Sequence, residues 1–204
     1  MFGDNFNSTS VSAIHWDDVP PWQWQWATLN PPVAAWGFAT AIQSFADNVS
    51  PPCQTVMVFA NIVNGDLATD RGCGDTFFTG GSTWSDEGMP PQLSPATGAV
   101  TRPTAVSYLD YDDQTRIDAF VVDTRYQHLF RRKWIGSTID WADHGLPPGH
   151  SMVWAPSAVT YIDATGRRRV YVFALSDNYH LVVNYCVDTC DDTSTWHWAD
   201  QGTM

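Results

Sequence analysis

The sequence predicts an all-β protein, a β-propeller built from about three four-stranded blades per chain. Three observations predict it. A closing motif, W-x-D-x-G, recurs at an even spacing as Trp84-Ser-Asp-Glu-Gly, Trp141-Ala-Asp-His-Gly and Trp198-Ala-Asp-Gln-Gly. Four short strand-like runs follow one another in the same order inside each repeat, and no amphipathic helical period interrupts them. The 204-residue chain also carries 11 tryptophans, large rings that are costly to expose without a packing or binding role.

In chain order, residues 1–25 stand before the repeats. Within them Asn7 to Trp16 reads like another closing strand, so the segment offers strand material without a blade of its own, for ring closure or contact with a partner. A degenerate closing motif, Trp26-Ala-Thr-Leu-Asn-Pro-Pro, keeps the proline pair and lies one residue more than a full period ahead of Trp84. The repeats then divide as 26–83, 84–140 and 141–197, with a closing strand end at 198–204. Each begins with an alternating run: 40–45, 104–109 and 157–162. A β-branched and aromatic run follows at 55–60, 117–122 and 170–175, with Phe59, Phe120 and Phe173 in register. Turn chemistry such as Asn64-Gly65 leads to a third strand, clearest at 128–133 and 180–185. The W-x-D-x-G segment is the fourth.

Within that motif, Asp86, Asp143 and Asp200 suit a turn in which the carboxylate accepts backbone N–H groups and the glycine takes a positive φ. The tryptophans Trp26, Trp84, Trp141 and Trp198 suit a second role. In clefts between blades, an indole face can stack on the C–H-rich face of a sugar while nearby carboxylates take its hydroxyls. Trp36 and Trp154, just before the first strand of two repeats, are candidate second walls of the same clefts, with core packing as the alternative. His128 and His180 open the third strand at equivalent places, where the first repeat has Asp66, and the repetition makes them candidate ligand contacts.

No catalytic constellation, cofactor motif or metal site emerges. The histidines are dispersed along the chain, none at zinc-ligand spacing with a cysteine, and the acidic loops lack the spaced calcium-loop pattern. Of the four cysteines, Cys53 and Cys73 flank one hairpin and Cys186 and Cys190 bracket a short loop, which among the three possible pairings favours two local disulfides, with four buried thiols as the alternative. A net charge of -12 argues against nucleic acid and anionic membrane surfaces as partners. No stretch approaches the roughly 20 apolar residues of a spanning helix. The N-terminus lacks the basic and apolar regions of a secretory signal, while the paired cysteines favour an extracellular over a cytoplasmic setting.

Pro103 to Ser107 and Pro156 to Thr160 share a P-[ST]-A-V-[ST] pattern. Together with the Val/Phe-rich second strand, the His-Leu opening of the third and the closing W-x-D-x-G, it resembles the propeller lectins of the Photorhabdus lectin type, from Trp26 onward. The resemblance implies a carbohydrate-binding lectin that takes fucose, galactose or methylated sugars in shallow sites between consecutive blades, beside Trp84, Trp141 and Trp198. Its partners would be glycans or glycoproteins. The alternatives are a protein-binding or structural propeller and a sialidase-like glycan-active enzyme. Chemistry distributed over every repeat favours binding over catalysis, which needs one carboxylate pair at one place. Three blades cannot close a ring, so the sequence further leads us to expect a homo-oligomer, a dimer of six or seven blades.

Overall fold

A computed structural model of the chain describes residues 2–4, 11–17, 23–29, 35–47, 53–62, 64–73, 77, 83–93, 100–109, 115–135 and 138–203. Those before residue 55 are described by backbone alone, Thr28 and Leu29 excepted. The chain divides into two compact units, Met1–Gly88 and Met89–Met204.

The first unit holds two antiparallel sheets. One runs in the order β1 (Phe2–Asp4), β2 (Val11–Asp17), β3 (Gln23–Leu29). Residues 1–25 thus supply β1, β2 and the first residues of β3, which runs on through Trp26 into the first repeat. The middle strand of this sheet is β2, which pairs on both sides, and the Trp26 strand is the outer one. The other sheet runs β4 (Ala35–Asp47), β5 (Cys53–Ile62), β6 (Leu67–Cys73), β7 (Thr83–Gly88). Strand β4 starts earlier than its alternating run, so Trp36 lies within it, paired with Asn61 at one edge of two register shifts. Such bulges let a strand of 13 residues bend along its partner.

The second unit holds two four-stranded meanders. They are β8 (Thr104–Leu109), β9 (Thr115–Val122), β10 (Leu129–Ile135), β11 (Thr138–Gly145), and β12 (Ser157–Ile162), β13 (Arg168–Leu175), β14 (His180–Val187), β15 (His197–Thr203). Strands β8 and β12 coincide with the alternating runs. Helical conformation among the described residues is confined to a 3-10 turn at Thr193–Thr195 and to Phe77, and none of their helices is long and apolar enough to cross a membrane. The architecture is all-β, with antiparallel four-stranded sheets of the kind that serve as propeller blades.

The second strand of each sheet explains its own composition. Residues Met57 to Ile62 of β5 and Ile117 to Val122 of β9 are buried on both faces, which is why they are apolar but for Asn61 and Asp118. Strand β13 differs. Its Val170, Val172 and Ala174 pack into one core with Val106, Tyr108, Phe120, Val122 and Leu129, but its other face is open. Phe120 and Phe173 hold the same register, opposite Thr104 and Ser157. Phe120 is fully buried with Trp196 at 5.7 Å, whereas Phe173 is half-buried and stacks on Tyr171, which stacks in turn on Tyr161 and Tyr185.

A buried ionic network ties the two sheets of this unit. The Arg131 guanidinium lies 3.6 Å from Asp118 Oδ2, which also accepts the Tyr108 hydroxyl at 2.8 Å. Burial pushes the Asp118 carboxyl above its usual range, opposed by the Arg131 charge. Arg131 also donates to the carbonyls of Cys190 and, at 2.9 Å, of Asp191, and Arg116 grips the Asp191 carboxylate with Nε and Nη2. The β14–β15 loop that carries these groups is closed by the expected Cys186–Cys190 disulfide. Cys73, at the end of β6, is disulfide-bonded as well; Cys53 opens the paired strand β5, its side chain outside the described residues.

Candidate functional site

The closing motifs fold as their chemistry requires. Asp86, Asp143 and Asp200 accept, through Oδ1, the N–H of Gly88, Gly145 and Gly202 at 2.7–2.8 Å. Those glycines have φ of +69°, +67° and +88° with open space where a Cβ would lie, so conformation and not crowding selects glycine. In each sheet a register shift at this place gives the closing strand one residue more than its partner and turns the aspartate toward the start of the third strand.

There it meets the residue that opens that strand. His128 Nδ1 lies 3.1 Å from both oxygens of Asp143, and His180 Nδ1 lies 2.8 Å from Asp200 Oδ2. The backbone at each histidine is fixed by the preceding turn: Asp123 Oδ2 accepts the His128 N–H at 2.7 Å, and Ser176 Oγ accepts the His180 N–H at 3.0 Å. In the first repeat two carboxyl groups, Asp66 and Asp86, face each other instead. Partial burial and then the Asp86 charge raise the Asp66 carboxyl above its usual range. By contrast, the Gly202 N–H and then His180 hold the Asp200 carboxyl below it.

Beside Trp141 a cleft of about 450 Å³ opens between the two sheets of the second unit. Lys133 of β10 and Asp140, Trp141, Ala142 and Asp143 of β11 form one side; Asp191, Asp192 and Thr193 of the β14–β15 loop form the other. The Arg132 guanidinium sits 5.3 Å from the Trp141 ring centre, which orients the indole. Asp192 accepts the Ser194 N–H at 2.9 Å, the main reason its carboxyl titrates below the usual range. An aromatic platform rimmed by four carboxylates and one ammonium suits a neutral polyhydroxyl ligand and repels an anionic one.

The other tryptophans take different places. Trp198 donates its indole N–H to the His144 carbonyl at 3.0 Å and packs against the core, a wedge between the two sheets. Trp84 is half-buried on β7, and Trp154 is 58% exposed. Trp26 and Trp36 lie on β3 and β4, with side chains outside the described residues.

Sequence reading missed the far wall of the cleft, because Asp191 and Asp192 lie nearly a whole repeat away from Trp141, in a loop that differs between repeats. It also missed a cluster. The expectation that the histidines are dispersed holds along the chain and fails in space: one ligand atom each from His150, His180 and Asp200 lie within 4.8 Å of one another. Each stands on a different element, and their separation in the chain is wider than any local motif contains.

No protein-family model and no curated protein sequence matches the chain. Solved structures share its fold. A fucose lectin from Kordia zhangzhouensis in complex with methyl-fucoside is 19% identical, with a TM-score of 0.54 over 81% of this chain and 99% of that one. AofleA from Arthrobotrys oligospora is 14% identical, with a TM-score of 0.56 over 95% of this chain and 51% of that one. An arginine-to-alanine triple mutant of AofleA is 15% identical, at the same TM-score and coverage. The chain thus spans about half the length of AofleA.

Proposed function

We propose that this protein is a lectin, with a site for a neutral sugar in the cleft beside Trp141. The observation that carries the reading is the cleft's composition. The indole face stacks on the apolar face of a pyranose, the carboxylates of Asp140, Asp143, Asp191 and Asp192 accept its hydroxyl protons, and Lys133 donates to a hydroxyl or ring oxygen. Fold likeness to a fucose lectin supports fucose as the first sugar to test, and the Photorhabdus-type sequence pattern adds galactose and methylated sugars. The acidic rim disfavours sialic acid and with it a sialidase-like role. The repeat extends the reading to Trp84 as a further shallow site, and to Trp198 only through the part of its ring left outside its core packing and its bond to the His144 carbonyl.

Assembly belongs to this proposal. A second copy supplies what covers the open face of β13, as Trp196 covers Phe120, and two copies match the length of AofleA. A dimeric ring repeats the sites, and such repetition raises apparent affinity by about 100-fold over one weak site. A glycan array tests the whole reading. Signal on fucosylated, galactosylated or methylated glycans is expected, and binding to no neutral glycan overturns it in favour of a protein-binding or structural role.

A further inference from the structure

The geometry points to a binding site for a borderline divalent transition-metal ion, of the zinc, cobalt or nickel kind, held by His150, His180 and Asp200. It stands apart from the glycan reading, since it rests on the positions of three side chains and not on what the clefts bind.

His150 comes from the β11–β12 loop, His180 opens β14 and Asp200 lies on β15. The loop is pinned next to the β13–β14 turn, because the Asp177 N–H donates to the Ser151 carbonyl at 2.9 Å. His150 Nε2 then lies 3.2 Å from Asp200 Oδ2, and His180 Nδ1 lies 2.8 Å from the same oxygen. Ligand atoms about 2.0–2.2 Å from a tetrahedral zinc are separated by roughly 3.3 Å. The first distance already fits, the second needs to open by about half an ångström, and the two histidine nitrogens, within 4.8 Å of each other, have to draw together around the ion. The imidazole of His150 is only 12% exposed, so its position is set before any ion arrives.

The second indication is the chemistry on the far side of two of the ligands, His150 and Asp200. His150 Nδ1 faces Asn178 Oδ1 at 3.1 Å, and Asn178 Oδ1 is also within 2.6 Å of Ser176 Oγ. In the tautomer that donates from Nδ1 to Asn178, the Nε2 lone pair is aimed at a carboxylate oxygen 3.2 Å away, and a cation between those two acceptors takes the place that a proton on Nε2 otherwise fills. Asp200 Oδ1 is occupied by the Gly202 N–H, which leaves Oδ2 for the ion. Ligating histidines are characteristically oriented in this way, through the second ring nitrogen. Two nitrogens and one oxygen select zinc, cobalt or nickel over calcium or magnesium, which want oxygen alone, and leave at least one coordination position for water.

The neighbouring sheet supplies an internal contrast. Its His128–Asp143 pair repeats the His180–Asp200 pair, but the residue one repeat period before His150 is Leu93, so the third ligand is missing there.

The test is calorimetric titration of the full, tag-free, chelator-treated chain with Zn2+, and with Co2+ read by its visible absorption. One ion per chain is expected. His150→Leu, which copies the preceding repeat, is expected to abolish it, and Asn178→Ala to weaken it about 10- to 100-fold. His128→Ala is expected to leave it unchanged, and a thermal melt of each variant checks the fold. Failure of the parent chain to bind either ion, or retention of full affinity by folded His150→Leu, overturns the inference. Since neither readout involves sugar, a failed glycan array leaves this result standing.

Discussion

His128 and Asp143 are locked together: the imidazole Nδ1 lies 3.1 Å from both carboxylate oxygens, and Asp143 Oδ1 also caps the Gly145 N–H at 2.7 Å. One side chain therefore joins the third strand to the bulge of the fourth. Asp143→Ala removes both contacts and is expected to cost about 1–2 kcal/mol, while Asp143→Asn keeps an oxygen for the glycine and is expected to cost less than half of that. Urea unfolding of the two variants checks the order.

The first repeat carries Asp66 where the others carry histidine, so it sets two carboxyl groups against each other. Asp66→His is expected to recreate the pairing of the sister sheets. Screening by solvent at this largely exposed place limits the gain to a few tenths up to about 1 kcal/mol at pH 7. A higher denaturation midpoint with an unchanged urea slope is the expected outcome.

These pairs mark how far the sequence carries. The repeated W-x-D-x-G, the alternation at 104–109 and 157–162 and the glycine turns were legible, because each is a local instruction written into adjacent residues. His128 and His180 were legible as a repeated position. What stayed hidden depends on chain folding over long separations: the meeting of His150 with His180 and Asp200, and the Asp191–Thr193 wall that Arg116 and Arg131 hold in place. The loops that supply those groups differ between repeats, so no periodicity announces them. The division of labour among tryptophans was hidden for the same reason, since Trp141 and Trp198 share a motif but only Trp198 donates its indole N–H to the His144 carbonyl.

His144 fills the variable position of the second closing motif and is half-buried against Trp196, with ring centres 4.7 Å apart. Burial, reinforced by the Arg131 charge, pushes its imidazole down to about 3. The unfolded chain, titrating near 6.5, takes up a proton that the folded chain refuses. Its contribution to stability is therefore intact above pH 6.5 and lost as pH falls toward 3, at up to about 1 kcal/mol per pH unit. Stability measured between pH 7 and pH 4.5 is expected to fall less steeply in His144→Gln than in the parent chain.

The open β13 face predicts assembly. Light scattering is expected to report a discrete species near twice the 22.7 kDa chain mass. Phe173→Asp or Tyr171→Glu, which place charge on the stacked aromatic face, are expected to shift it toward the single chain, because burying an unpaired charge costs several kcal/mol. A parent chain that stays monomeric at micromolar concentration would remove the dimeric ring.

The most direct measurement is calorimetric titration with methyl-fucoside, and with galactose and methylated sugars in parallel, of the parent chain, Trp141→Ala and Lys133→Ala. Weak saturable binding of a neutral sugar is expected, reduced about tenfold or more by each substitution in proteins whose melts show an intact fold. Sialic acid is expected not to bind. Absence of heat with every neutral sugar, or binding that both substitutions leave unchanged, would contradict a carbohydrate site at Trp141.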